Sequence, residues 1–96
     1  MEFKLSLKAE IDLIEIWEYT FQTWSIEKAN QYVANLISSI NTLCRNPKIG
    51  KNYDYIRTDY LGLKVNSHII FFKLEDVGTI SIIRILHEKM DLPFKL

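Results

Sequence analysis

The sequence predicts an α+β fold: a short N-terminal strand, an antiparallel two-helix hairpin, then a three-stranded antiparallel meander forming one sheet. Three observations predict it. Apolar residues recur at helical spacing up to Cys44, the period changes once near Asn46, and the remainder is rich in β-branched and aromatic residues. The length of 96 residues fits a single domain over 1–96, with no internal repeat and no linker.

Phe3-Lys4-Leu5 is a short strand candidate, and Ser6 is placed to cap the helix that follows. Ala9, Leu13, Ile16, Trp17, Thr20 and Phe21 form its apolar stripe, with Glu10, Asp12, Glu15 and Glu18 largely on the other side. Ile11 and Ile14 widen that stripe, so a helix covered on more than one side is expected. Gln22-Thr23-Trp24 breaks the pattern, and Ser25 is the next cap. Ala29, Val33, Leu36, Ile37, Ile40, Leu43 and Cys44 then line a second helix. The short break folds the two into an antiparallel hairpin.

Asn46-Pro47-Lys48-Ile49-Gly50 ends the second helix, because Pro47 disfavours helical backbone at Asn46. Leu61 to Val65, His68 to Leu74 and Thr79 to Leu86 read as strands, joined by Asn66-Ser67 and by a turn at Glu75-Asp76-Val77-Gly78. Tyr53 to Arg57 is ambiguous between loop and strand. Strict alternation places Ile80, Ile82, Arg84 and Leu86 on one face of the last strand, and Ser81, Ile83, Ile85 and His87 on the other. In the strand before it, His68, Ile70, Phe72 and Leu74 oppose Ile69, Phe71, Lys73 and Glu75. Both faces are therefore apolar, while one helical hairpin covers only one of them. The second face needs a cover: the C-terminal tail (Met90, Leu92, Phe94), a second copy, or a partner protein.

The composition narrows the function. Twelve bases balance 12 acids, and 48% of residues are hydrophobic, which excludes a disordered or low-complexity chain. The balance hides an asymmetry: residues 1–44 hold three bases and six acids, and residues 45–96 hold nine bases and six acids. A neutral total argues against gripping a polyanion through bulk charge, so direct nucleic-acid binding is not expected. No apolar run approaches the ~20 residues of a membrane span, and the first residues lack the apolar core of a signal peptide. A cytoplasmic protein is expected. Cys44, the single cysteine, reads as a small buried hydrophobe, and no residues have metal-ligand spacing. Gly50, Gly62 and Gly78 lie too far apart for a phosphate loop, and no cofactor is expected.

Five pieces of the chain, in order, carry a resemblance to a known family. They are Leu5-Ser6-x-x-Ala9-x-x-Asp12-Leu13-x-x-Ile16-x-x-Tyr19, Ala29-x-x-Tyr32-x-x-x-Leu36, Leu43-x-x-Asn46-Pro47-x-x-Gly50, His68-x-Ile70-Phe71-Phe72-Lys73 and Ile82-x-Arg84-Ile85-Leu86-His87-x-x-Met90-Asp91. Together they resemble ParE-type toxins of the RelE/ParE toxin–antitoxin superfamily. One departure is Lys51, where an Arg often follows the helix-stop glycine; Lys keeps the charge but not the planar two-pronged donor.

The resemblance implies the toxin of a type II toxin–antitoxin pair, held in a heteromeric complex by a cognate ParD-like antitoxin. Trp24, Ile70 and Phe72 are the candidate antitoxin-binding residues. ParE-like members inhibit DNA gyrase by protein–protein binding, without catalysis. Arg57, Lys64, Arg84, His87, Met90 and Asp91, in the more basic half, are the candidate target-binding residues. For Arg84 the plainer expectations are a pair with Glu75 or Asp76, or solvent at a sheet edge.

The alternative is a ribosome-dependent mRNA endoribonuclease of the RelE type. It would draw a base, an acid and cations from His68, His87, Glu88, Arg57, Lys64 and Arg84, with Tyr53, Tyr55 and Tyr60. Arg84 and His87 are three apart in a strand and should point to opposite faces unless it bends. His68 reads better as a hydrogen-bonded strand-end residue. Neutral charge and motif match both favour the gyrase reading.

Overall fold

A computed structural model describes residues 2–76 and 78–96. The elements are β1 (Glu2–Leu5), α1 (Leu7–Thr23), α2 (Ile26–Arg45), a 3-10 turn (Pro47–Ile49), β2 (Lys51–Asn52), β3 (Leu61–Val65), β4 (His68–Leu74), β5 (Thr79–His87) and a helical turn α3 (Leu92–Lys95). Both expected caps form. The Ser6 hydroxyl accepts from Ala9 N–H at 3.0 Å, and that of Ser25 accepts from Lys28 N–H at 3.1 Å. The second helix ends at Asn46, and Pro47 opens the 3-10 turn.

The strands form one five-stranded sheet in the order β1-β5-β4-β3-β2. The expected β3-β4-β5 meander is its centre. The sheet is mixed rather than purely antiparallel: β1 runs parallel to β5, and the two-residue β2 adds a fifth strand at the far edge. The hairpin carries α1 away and α2 back across one face, packing Ala9, Ile16, Leu36, Ile40 and Leu43 on Ile70, Phe72, Ile80, Ile82 and Ile85. Of the β4–β5 turn, Val77 lies outside the described residues. Gly78 takes φ +94°, as its lack of a Cβ permits.

One irregularity reorders β5. The pairing steps from Phe71↔Arg84 to Phe72↔Ile82, so Ile83 is an extra residue and the strand bulges. Side-chain alternation reverses there. Ile80, Ile82 and Ile85 all reach the helix-side core, while Leu86 joins Ile69 and Phe71 on the other face. The strict alternation expected from the sequence thus holds in β4 and fails in β5.

That other face is covered by the chain itself. Tyr53 and Tyr60 of the loop after β2, with Leu92 and Leu96 of the tail, pack on Ile69, Phe71 and Leu86. The ring of Tyr53 meets Phe71 edge-on at 5.1 Å. A Cβ on Gly62 would stand 2.6 Å from the Tyr53 ring, so the loop lies this close only because residue 62 is glycine. Of the tail residues expected to provide the cover, Leu92 does so; Met90 and Phe94 are exposed.

Candidate functional site

The end of β5 beyond Ile82 has no neighbour in β1, whose pairing stops at Leu5↔Ile82. Its backbone groups must find other partners. Helix α1 supplies them. Ser6 donates its N–H to Ile82 O and its hydroxyl to Ile83 O, and Asp12 Oδ2 accepts the Ile85 N–H at 2.9 Å. The same carboxylate receives Arg84 through two bonds, Nε to Oδ2 at 2.8 Å and Nη2 to Oδ1 at 2.9 Å. This two-pronged pair is the strong geometry for an arginine and a carboxylate. Asp12 holds Arg84 charged by hydrogen bonding and raises its pKa. A third guanidinium bond, from Nη1 to Lys95 O, ties the tail to the same point. Arg57 donates likewise to the carbonyl of Leu96.

A groove runs alongside. It lies between α1 and the end of β5 with the segment after it, and holds two cavities of about 420 and about 270 Å³. Asp12, Glu15 and Met90 line both. The larger is walled by Ile16, Tyr19, Thr20, Ile85, His68, His87 and Lys89. The smaller is walled by Lys8, Ile11, Arg84, Leu86 and Lys95. Lys89 and Lys95 make no ion pair among the described residues, so the tail side of the groove presents unspent positive charge.

The two histidines face each other across β4 and β5, at paired positions with ring centroids 5.2 Å apart. Burial, helped by His87 nearby, pushes the His68 pKa down to about 4, which leaves the ring neutral at neutral pH. Its Nδ1 shares a 2.7 Å hydrogen bond with the Tyr32 hydroxyl, which also accepts from Ser67 N–H at 3.4 Å. Burial raises the Tyr32 pKa. His68 is therefore the hydrogen-bonded strand-end residue expected from its position. His87 Nδ1 accepts from the backbone of Lys89.

The expected target-binding residues fall around this end of the molecule. Arg84, His87 and Met90 line the groove. Asp91 stands at the start of α3, its carbonyl accepting from Phe94 and Lys95. Arg57 holds the tail, and Lys64 pairs with Glu88 at 2.9 Å, which lowers the Glu88 pKa. Arg84 pairs with neither Glu75 nor Asp76: Glu75 bridges to Lys4 at 3.5 Å, and the arginine goes to Asp12. Arg84 and Leu86 share the tail side of β5, whereas His87 lines the helix-side cavity, so the two expected site residues point apart.

Among the expected antitoxin-facing residues, Trp24 is 70% exposed, with the Lys28 ammonium 5.9 Å from its ring. Ile70 and Phe72 are fully buried beneath the helices and offer no surface to a partner in this fold. They sit on the helix-side face of β4, while the face covered by the tail and the loop after β2 belongs to Ile69 and Phe71.

Asp12 was the residue missed. Its signal was present: position 12 lies on the same arc as Ala9, Ile16 and Thr20, and all four are buried. A carboxylate on a buried arc demands a partner. Among the described residues no three His, Cys, Asp or Glu side chains are grouped to hold a metal ion, and no helix is long and apolar enough to cross a membrane.

Comparison with known proteins gives the family. Residues 3–92 match the family model described as the ParE toxin of the type II toxin–antitoxin system parDE. Toxin ParE1 of Mycobacterium tuberculosis is 38% identical over 90 residues, covering 94% of this chain and 92% of the relative. Toxin ParE1 of Caulobacter vibrioides is 33% identical over 90 residues, covering 93% and 91%. Among solved structures, one described as the chromosomal ParDE system of P. aeruginosa superposes with a TM-score of 0.79 at 21% identity, covering 91% of this chain and 95% of that one. A second, from the toxin–antitoxin complex RelBE2 of M. tuberculosis, gives 0.69 at 16% identity, over 91% and 96%. Those two likenesses show the fold; the sequence relatives and the family match show the lineage. The chain belongs to the ParE toxin family of type II toxin–antitoxin systems.

Proposed function

We propose that this toxin inhibits DNA gyrase by occupying a surface of it, without catalysis, and that a ParD-like antitoxin neutralises it by seating in the groove along α1. One observation supports the non-catalytic reading: most of the groups that RNA cleavage would draw on are committed elsewhere. Arg84 is spent on Asp12, Glu88 on Lys64, and His68 is neutral and bonded to Tyr32. Tyr53 and Tyr60 are packed on the sheet. A nuclease site needs a base, an acid and a free cation converging on one phosphate.

The groove supports the antitoxin reading. Its apolar lining suits a bulky side chain, and Lys89 and Lys95 suit an acidic segment. Trp24, exposed at the end of α1 outside the groove, is a second apolar surface open to a partner. The target-contacting surface is assigned to Arg57, Lys64, Arg84, His87, Met90 and Asp91. Of these, Arg84, His87 and Met90 also line the groove, so antitoxin and target would compete there.

Purified toxin incubated with gyrase, relaxed plasmid and ATP is the direct test. Loss of supercoiling with accumulation of cleaved DNA, reversed by antitoxin, is the expected result. Intact supercoiling together with new mRNA 5′ ends after brief induction would transfer the protein to the RelE-type reading.

A further inference from the structure

The outer side of α1 is apolar where a helix packed on one sheet should be polar. Leu7, Ile11, Ile14 and Phe21 are 71%, 44%, 57% and 46% exposed. With Glu18 they fall at alternating spacings of four and three, on the side opposite buried Ala9 and Ile16. Among the described residues no element covers this stripe, although the extra apolar residues at 11 and 14 called for a cover on that side.

We propose that a second copy of this chain covers it, the two α1 helices packing antiparallel across a two-fold axis. The charges flanking the stripe select this occupant and this direction. In antiparallel register, Ile11 of each copy lies beside Ile14 of the other, and Leu7 beside Glu18, which the helix end leaves in water. Lys8 of each copy then lies between Glu15 and Glu18 of the other, twice over by symmetry. On the opposite flank, Glu10 meets Trp17 rather than a like charge. A parallel pair would instead set Glu10 against Glu15 in both flanks. An acidic partner is disfavoured by the three glutamates along the stripe.

Lys8, Glu15 and Glu18 make no ion pair within the chain, among the described residues, so the cross-copy pairs break nothing. The helix spans 17 residues, about 25 Å at 1.5 Å per residue, long enough for this apolar contact and its two charged ends. This inference does not depend on the gyrase reading, because its test reads mass alone. Lys8, Ile11 and Glu15 also line the groove assigned to the antitoxin, so the pairing belongs to the free toxin and antitoxin binding displaces the second copy.

Sedimentation equilibrium of the purified full-length chain over a concentration series tests the pairing. The mass should climb from 11.4 kDa towards twice that value. Ile14→Glu should hold it at 11.4 kDa throughout, with an unchanged circular dichroism spectrum, since the side chain it replaces is exposed. Lys8→Glu should weaken association about tenfold, an effect of about 1.4 kcal/mol. The triple reversal Lys8→Glu, Glu15→Lys, Glu18→Lys should restore it. A chain monomeric at every concentration overturns the proposal. So does a dimer indifferent to Ile14→Glu, or a triple reversal that fails to recover. If the free chain is monomeric and Ile14→Glu abolishes antitoxin binding, the stripe is the antitoxin's seat and the proposal falls.

Discussion

Asp12 and Arg84 stand 72 residues apart in the chain and meet through two hydrogen bonds, while the same carboxylate accepts the backbone N–H of Ile85. One side chain thus closes the open edge of β5, holds the arginine and, through it, the tail at Lys95. Removing either partner leaves a nearly buried charge unanswered. Asp12→Ala is expected to cost about 3 kcal/mol, with a fall in Tm of roughly 12 °C or more. The double change Asp12→Leu with Arg84→Met should cost less than Asp12→Ala, because no charge is left stranded. Thermal denaturation of the three proteins checks the order.

His68 makes stability depend on pH. Folded, it stays neutral down to about pH 4; unfolded, it takes up a proton near its ordinary 6.5. Between those values the unfolded chain binds more protons, so stability rises with pH and falls on acidification. Going from pH 7 to pH 5 should remove at most about 2 kcal/mol at 1.36 kcal/mol per unit. His68→Asn should flatten that slope. Urea unfolding at a series of pH values measures it.

Gly62→Ala should destabilise by about 1–3 kcal/mol, since the added methyl has to displace the Tyr53 ring. The loop over the sheet would then loosen. Faster amide exchange at Asp59, whose N–H is held by Asp54 Oδ1 at 2.7 Å, should report it.

The two caps should differ. Ser25→Ala loses one exposed bond to Lys28 N–H and should cost about 1 kcal/mol. Ser6→Ala should cost more, because that hydroxyl also donates to Ile83 O at the bulge. Chemical denaturation midpoints of the two variants give the comparison.

How far the sequence could be read follows from the range of each interaction. The helices, their caps and the Asn46-Pro47 stop are written in neighbouring residues, and they form as read. The meander is equally local. The bulge at Ile83 is not, since neither glycine nor proline marks it and it shows only in the pairing with β4. The parallel pairing of β1 with β5 joins distant segments, and nothing in Phe3-Lys4-Leu5 declares a direction. For the site, Arg84 and His87 stood out by residue type, but Asp12 hid among the glutamates of an acidic helix. Alternation separates Ile70 and Phe72 from Ile69 and Phe71 but does not say which pair the helices cover, and it is the first pair that lies beneath them.

The placement of β1 also sets a schedule. Glu2 pairs with Thr79 and Leu5 with Ile82, so the sheet stays unfinished until nearly the entire chain has emerged. At ~5–20 residues per second, some 80 residues occupy the ribosome for roughly 4–16 s. Throughout that interval the Asp12–Arg84 pair has not formed, and the groove beside it has only one wall. The sheet and the groove beside it are therefore completed late in synthesis, and together.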